Sequence, residues 1–336
     1  MTNVKNFVGI DVSKGFFDAA IIVILKGRWD FIHQKFDCTA EGFKAFYKWM
    51  KQHINGAECE TVICMEYTGI YNWPITEFLS GTKFVLCLEM AMQIKLSLGV
   101  QRGKNDKLDA ERIAEYAYVQ REKLKQWLPS GKVIEKLQHL MAARERIITA
   151  SKMLEVPVNE FTQAGNIEMA AILVKIHKPL LGALQKTLAK IEKQLEKTLQ
   201  EDETIQALYA RITSVKGIGR VIGIYLIIYT KGFTILADKK KLGSYTGVVP
   251  FDHTSGKTVK KRSKTSHMTN AKLRSNLSMG ARSAMIWDPE LKLYAEKKMK
   301  EGKSYGWCIT AVSNKLLARV VACVNNQRNY VIKNAA

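Results

Sequence analysis

Three runs at the head of the chain constrain its fold more than any other feature. NFVGIDVS (6–13), FFDAAIIVIL (16–25) and WDFIHQKFDC (29–38) read as consecutive strands, the third with clear period-two alternation. Helix-like and strand-like runs then alternate. TAEGFKAFYKWMKQH (39–53) is a helix with Thr39 as its N-cap, ETVICMEYTG (60–69) a strand, and YNWPITEFLSG (71–81) a helix ending at Gly81. KFVLCLEM (83–90) is a further strand, and GKNDKLDAERIAEYA (103–117) opens an amphipathic helix. Three antiparallel-looking strands followed by such alternation predict a mixed α/β sheet.

LPSG (128–131) supplies a boundary, and the next stretch is helical almost throughout. Leu184, Leu188, Ile191, Leu195 and Leu199 repeat at four- and three-residue steps, with Glu192, Lys193, Glu196 and Lys197 beside them. That spacing fits a coiled-coil seam or an intramolecular helical hairpin. The expected organisation is therefore three regions: 1–130 α/β, 131–200 helical or coiled-coil, and 201–336 mainly helical.

Charge divides unevenly along this plan. The chain of 336 residues carries 52 Lys+Arg against 31 Asp+Glu, a net charge of +21. Residues 1–130 hold 17 basic and 15 acidic groups, whereas residues 131–336 hold 35 and 16. An excess confined to the later regions predicts a polyanionic partner there, and nucleic acid is the commonest. Membrane classes fit poorly: the most apolar run, DAAIIVILKG, is far shorter than the ~20 residues a spanning helix requires. The N-terminus lacks a signal-peptide pattern. The six cysteines form no C-x-x-C pair and have no accompanying histidine cluster, so structural zinc is not expected. Most are read as small buried hydrophobes of a reducing cytoplasm.

Four carboxylates attract chemical interest. Asp106 and Asp109 stand three apart at a helix start, and two readings fit that spacing. One is N-terminal capping; the other is a cation held between two carboxylates on one helix face. Asp11, in VGIDVSK, and Glu66, ending VICME, lie on apolar strands, where a carboxylate is costly unless paired or bound to metal. Asp18 is read as a solvated or edge-strand acid and is left outside the set.

The later regions add two motifs. ARITSVKGIGRVIGIYLIIYT (210–230) places Gly217 and Gly219 in a short turn between apolar helical segments, like a helix-hairpin-helix. Such a turn either packs two helices tightly or offers backbone N–H groups to a phosphate. Between residues 257 and 264, Lys257, Lys260, Lys261, Arg262 and Lys264 stand with no acid among them, as a solvated basic loop or a clamp for a nucleic-acid backbone. Ser255 precedes this run, but by sequence alone Ser244, Ser263 and Ser266 compete with it. His253 and His267 flank the run without an assigned role.

In order, GIDVSK, EYTG and KNDKLDAERIAEYA resemble the DEDD transposase/recombinase family of bacterial insertion sequences. That family includes bridge-RNA-guided recombinases and relatives of the Piv DNA invertases. The resemblance implies a RuvC-like, ribonuclease-H-type domain in which Asp11, Glu66, Asp106 and Asp109 bind Mg²⁺. LGSYTGVVPFDHTSGKTVKKRSKTSHMTNAKLR (242–274) resembles the family's C-terminal transposase domain. Gly247 and Pro250 lead there to Ser255-Gly256, which implies Ser255 as the nucleophile of a phosphoserine–DNA intermediate.

The family also implies a composite metal–serine site, donor and target DNA, and a guide (bridge) RNA. A homo-oligomer, dimeric or tetrameric, and a cytoplasmic, nucleoid-associated life go with it. Two departures stand out: bulky Tyr67 follows Glu66 where relatives usually carry a small residue, and the basic run is unusually rich in lysine. The rival readings are a metal-dependent junction nuclease using water, which gives Ser255 no role, and a non-catalytic nucleic-acid-binding scaffold.

Overall fold

The computed structural model describes residues 4–25, 28–99, 103, 105–249, 251–255, 259–264 and 269–331, in two compact units, 1–129 and 130–336. The first unit runs β1 (Asn6–Val12), β2 (Phe16–Leu25), β3 (Arg28–Asp37), α1 (Ala40–His53), β4 (Thr61–Glu66), α2 (Trp73–Ser80), β5 (Val85–Glu89), α3 (Ala91–Ser97) and α4 (Asp106–Val119). Its five strands form one sheet in the order β3-β2-β1-β4-β5. The β1–β2 and β2–β3 pairs are antiparallel, whereas β4 pairs parallel with both β1 and β5. This is the mixed sheet of a RuvC-like, ribonuclease-H-type domain.

Side-chain alternation sorts the sheet into two faces. Val8, Ile10 and Val12 of β1 join Ile63 and Met65 of β4 in a core completed by Phe43, Phe46, Trp49 and Met50 of α1 and by Ile75 and Leu79 of α2. Thr39 caps α1 by accepting from Gly42 N, as the sequence pattern predicts. Phe7 of β1 and Val62 and Cys64 of β4 point the other way. There they pack on Ile113, Ala114, Tyr116 and Ala117 of α4 and on Ile94 of α3. Gly9 lies on this second face, and α4 presses directly against it. A Cβ at Gly9 would come within 2.2 Å of Ala110 O and Ala114 N, so only glycine admits the helix at this distance.

The second unit contains α5 (Lys132–Gln163), α6 (Ile167–Leu199), α7 (Glu203–Thr213), α8 (Arg220–Tyr229), α9 (Lys239–Thr246), β6 (Phe251–Ser255), β7 (Val259–Lys264), α10 (Ala271–Trp287), α11 (Pro289–Lys300) and α12 (Tyr305–Asn325). The predicted heptad-like seam is an intramolecular hairpin of α5 and α6, pinned by Arg144 Nε to Glu192 Oε1 at 2.5 Å and by His177 against the Leu154 carbonyl at 3.0 Å. Ile134, Leu137 and Met141 of α5 and Leu195 and Leu199 of α6 enter the core formed with α7, α8, α10 and α12. Among the described residues only α12 is long and apolar enough to cross a bilayer, and half of that stretch is buried within the unit.

Candidate active site

The two strand-borne acids belong to the face that α4 covers. Asp11 is two residues beyond Gly9 on β1, and Glu66 is two beyond Cys64 on β4, so alternation aims both toward the helix. The parallel register pairs Ile10 with Met65, which brings Asp11 and Glu66 side by side at the carboxyl ends of neighbouring strands. Asn72, which is buried, fixes the chain beyond Glu66. Its Nδ2 donates to Glu66 O at 3.0 Å, and its Oδ1 accepts from Thr68 N at 2.6 Å.

The other two acids arrive on the first turn of α4. Asn105, not an aspartate, is the N-cap: its Oδ1 accepts from Leu108 N at 2.7 Å. Asp106 and Asp109 are thus not needed as the cap, although their charge still complements the helix dipole. Because α4 is seated on Gly9, its first turn lies over the end of β1. The electrostatics register that convergence. Burial, then the charges of Asp109, Glu66, Asp106 and Asp18, push the Asp11 carboxyl from 3.8 up to about 6.

Arg112 moderates the cluster: its Nη1 donates to Asp109 Oδ1 at 2.9 Å. Among the described residues, no three acidic, histidine or cysteine side chains close on a single point as they stand. Like-charge repulsion opposes that closure, and Asp109 is engaged by Arg112. The donors are nonetheless all carboxylate oxygens on one face, the set that fits a hard divalent cation.

Asp18 corrects the sequence reading. It is neither solvated nor on an edge strand: β2 lies between β3 and β1, and Asp18 is only 4% exposed. The antiparallel register places it directly opposite Asp11 on the same face. His33 Nε2 donates to its Oδ1 at 2.7 Å. The signal was present, since Asp18 interrupts an apolar strand just as Asp11 does. Edge or interior position, however, depends on which strands pair, and local sequence does not carry that.

Ser255 and the basic run stand in the second unit, and the expected loop is instead a β-hairpin. Ser255 ends β6 and pairs with Val259, the first residue of β7, while Thr254 pairs with Lys260 and His253 with Lys261. Arg262 and Lys264 continue β7. A two-stranded ribbon needs no apolar stripe, so hydrophobic periodicity gives no sign of it. Lys257 lies outside the described residues, as do Pro250, Gly256, Ser266 and His267.

The two turn glycines have different surroundings. Gly217 has a φ of 94°, and a Cβ there would fall 2.7 Å from both Ala284 Cβ and Gly280 O of α10. Its absent side chain therefore serves helix packing. Gly219 is the N-cap of α8, with no side-chain cap, and a Cβ there would meet open space.

Comparison with known proteins finds transposase families over both units. Residues 8–155 match the DEDD transposase family of the IS110 type, and residues 209–296 match the family described as Transposase IS116/IS110/IS902. Over 340 aligned residues the chain is 25% identical to the pilin gene-inverting protein of Moraxella bovis, covering 97% of this chain and 98% of that one. The pilin gene-inverting protein of Moraxella lacunata matches to the same extent, at 25% identity. A DEDD transposase domain carries, as a class, a divalent-metal site and acts on DNA. With one family matching the acid-bearing unit and the other the helical unit, the chain belongs to the IS110-type DEDD transposases and is a DNA transposase/recombinase.

Proposed function

We propose that the chain is a guide-RNA-directed DNA recombinase of a bacterial insertion sequence, cleaving and rejoining strands through a covalent bond to Ser255. The observation that carries this reading is the gathering of Asp11, Glu66, Asp106 and Asp109 on one face, where burial and then the neighbouring carboxylates raise the Asp11 carboxyl to about 6. These four would hold Mg²⁺, which when bound supplies electrostatic stabilisation to charge growing on a phosphoryl group.

Ser255 does the bond exchange. Its Oγ bonds to phosphorus as one phosphorus–oxygen bond of the DNA strand breaks. The hydroxyl proton passes to a base, and the leaving oxygen takes up a proton. Attack by a DNA hydroxyl on the phosphoserine reverses the exchange, so the ester is transferred rather than hydrolysed. Lys257, Lys260, Lys261, Arg262 and Lys264 contact the strand backbone nearby, and the α8 turn at Gly219 offers N–H groups to a further phosphate. Gly217 supports that turn by packing.

The guide RNA pairs with donor and target DNA, and residues 131–336, with 35 basic against 16 acidic groups, supply its surface. The relatives' name, pilin gene-inverting, favours site-specific rearrangement over random joining. The working form is a homo-oligomer, a dimer or tetramer, acting in the bacterial cytoplasm at the nucleoid.

The test combines purified protein, noncoding RNA from the segment adjoining the gene, donor and target DNA, and Mg²⁺, followed by sequencing of joined products. Recombinant junctions should require both RNA and cation and should vanish with Asp106→Asn. Equal recombination without RNA would refute guidance, and cleavage without rejoining would favour a nuclease that uses water.

A further inference from the structure

The register of the sheet places more acids beside Asp11 and Glu66 than the four-residue motif contains. Asp18 of β2 pairs with Asp11, Asp11 adjoins Glu66, and Glu66 pairs with Glu89 of β5. Four carboxylates therefore run in a row across β2, β1, β4 and β5 on the face that α4 covers. The two outer members differ in how they are satisfied. Glu89 is hydrogen-bonded by the Tyr116 side chain of α4. Among the described residues Asp18 is committed through one oxygen: Oδ1 accepts from His33, whereas Oδ2 is buried with no hydrogen-bond partner.

A carboxyl oxygen buried without a donor loses its hydration with nothing in return. The register sets Asp18 opposite Asp11, a second carboxylate on the same face. His33 keeps the arrangement from relaxing, because it pins the opposite oxygen at 2.7 Å. A fold that needed only an Asp18–His33 pair would be equally served by a side chain with no second free oxygen. What the free oxygen suits is a hydrogen-bond donor arriving with a ligand in the acid cluster, and hard divalent cations retain water molecules of that kind.

We propose that Asp18 is a fifth carboxylate of the metal centre, a positioning residue whose Oδ2 accepts a hydrogen bond from water carried by the cation that Asp11 and its partners hold. The inference rests on the metal reading given above. Removing such an outer partner weakens metal binding about 10–100-fold. His33 acts one step further out by holding Asp18 in register.

The experiment uses the full-length chain and Mn²⁺ alone as the probe, with free ion counted by its electron paramagnetic resonance signal. Wild type, Asp18→Asn and Asp11→Asn are titrated, and thermal unfolding of each is recorded in EDTA. The proposal expects Asp18→Asn to weaken Mn²⁺ binding at least tenfold while its metal-free unfolding temperature is unchanged or raised. A merely structural Asp18 would do the reverse, lowering that temperature and leaving Mn²⁺ affinity within twofold, and this would overturn the proposal. If Asp11→Asn weakens binding and Asp18→Asn does not, Asp18 alone is excluded. If neither does, the four-carboxylate reading falls and this proposal with it. Should Asp18→Asn not fold, Asp18→Glu is measured in its place, with weakened binding again expected. Failure of both to fold would assign Asp18 to the fold and overturn the proposal.

Discussion

Asp11→Asn should stabilise the metal-free protein at neutral pH while abolishing recombination. The Asp11 carboxyl rises from 3.8 to about 6, first through burial and then through Asp109, Glu66, Asp106 and Asp18. An acid bound more tightly to its proton in the folded state costs stability once ionised. The cost is absent below pH ~4, grows as pH rises, and is fully present above pH ~6. The full shift corresponds to a ceiling of about 3 kcal/mol. Asp11 keeps some solvent contact, and screening reduces the expected effect to about 1–2 kcal/mol.

Hydrogen exchange of β1 on the full-length chain provides the assay, because those amides are paired to β2 and β4 and open with the sheet. In EDTA, Asp11→Asn should raise the opening free energy of β1 at pH 7 by about 1–2 kcal/mol and leave it unchanged near pH 4. Saturating Mg²⁺ should reverse the ranking, since only wild type gains from binding. A gain that persisted at pH 4, or a loss at pH 7, would refute the electrostatic argument.

Three further outcomes follow from close contacts and charge. Gly9→Ala should destabilise the first unit by about 3 kcal/mol and silence recombination, because its Cβ would displace α4 and the first turn bearing Asp106 and Asp109; urea unfolding followed by hydrogen exchange reports it. Gly217→Ala, at a φ of 94° and against α10, should cost the second unit roughly 3 kcal/mol and, by shifting the turn it supports, weaken DNA binding; urea unfolding and a DNA-binding titration report the two effects. Alanine at Lys260, Lys261, Arg262 and Lys264 should flatten the dependence of log DNA affinity on log salt by roughly 0.9 for each charge that meets a phosphate; an unchanged slope would remove β7 from the DNA surface.

The strands and helices of the first unit were legible because their signals are local. β-branched runs, alternation, the Thr39 cap and the helix stop at Gly81 each act within a few residues. The mixed sheet followed from their order. What stayed illegible depends on pairing and packing. Asp18 becomes interior only once β3 has paired with β2, and Gly9 shows its purpose only when α4 lies on it. Either Asn105 or Asp106 satisfies the chemistry of an N-cap, and the sequence around 103–109 does not separate them. The β6–β7 ribbon lacks the apolar alternation that marks a strand on a core, and the short α3 offers little more than one buried anchor, Ile94. Cys64, Cys87, Cys308 and Cys323 are buried as expected, whereas Cys59 is exposed.

The central claim, strand transfer through a serine, is tested most directly by looking for protein attached to DNA. Purified protein with guide RNA, labelled donor and target DNA and Mg²⁺ is denatured, run on a gel, and any adduct is digested and mapped. The account predicts a DNA-linked peptide whose modified residue is Ser255, and loss of both adduct and cleavage in Ser255→Ala. Ser263→Ala and Ser266→Ala should lower activity only modestly, by a phosphate hydrogen bond of about 1 kcal/mol. An adduct on a peptide lacking Ser255, or full cleavage by Ser255→Ala, would contradict it.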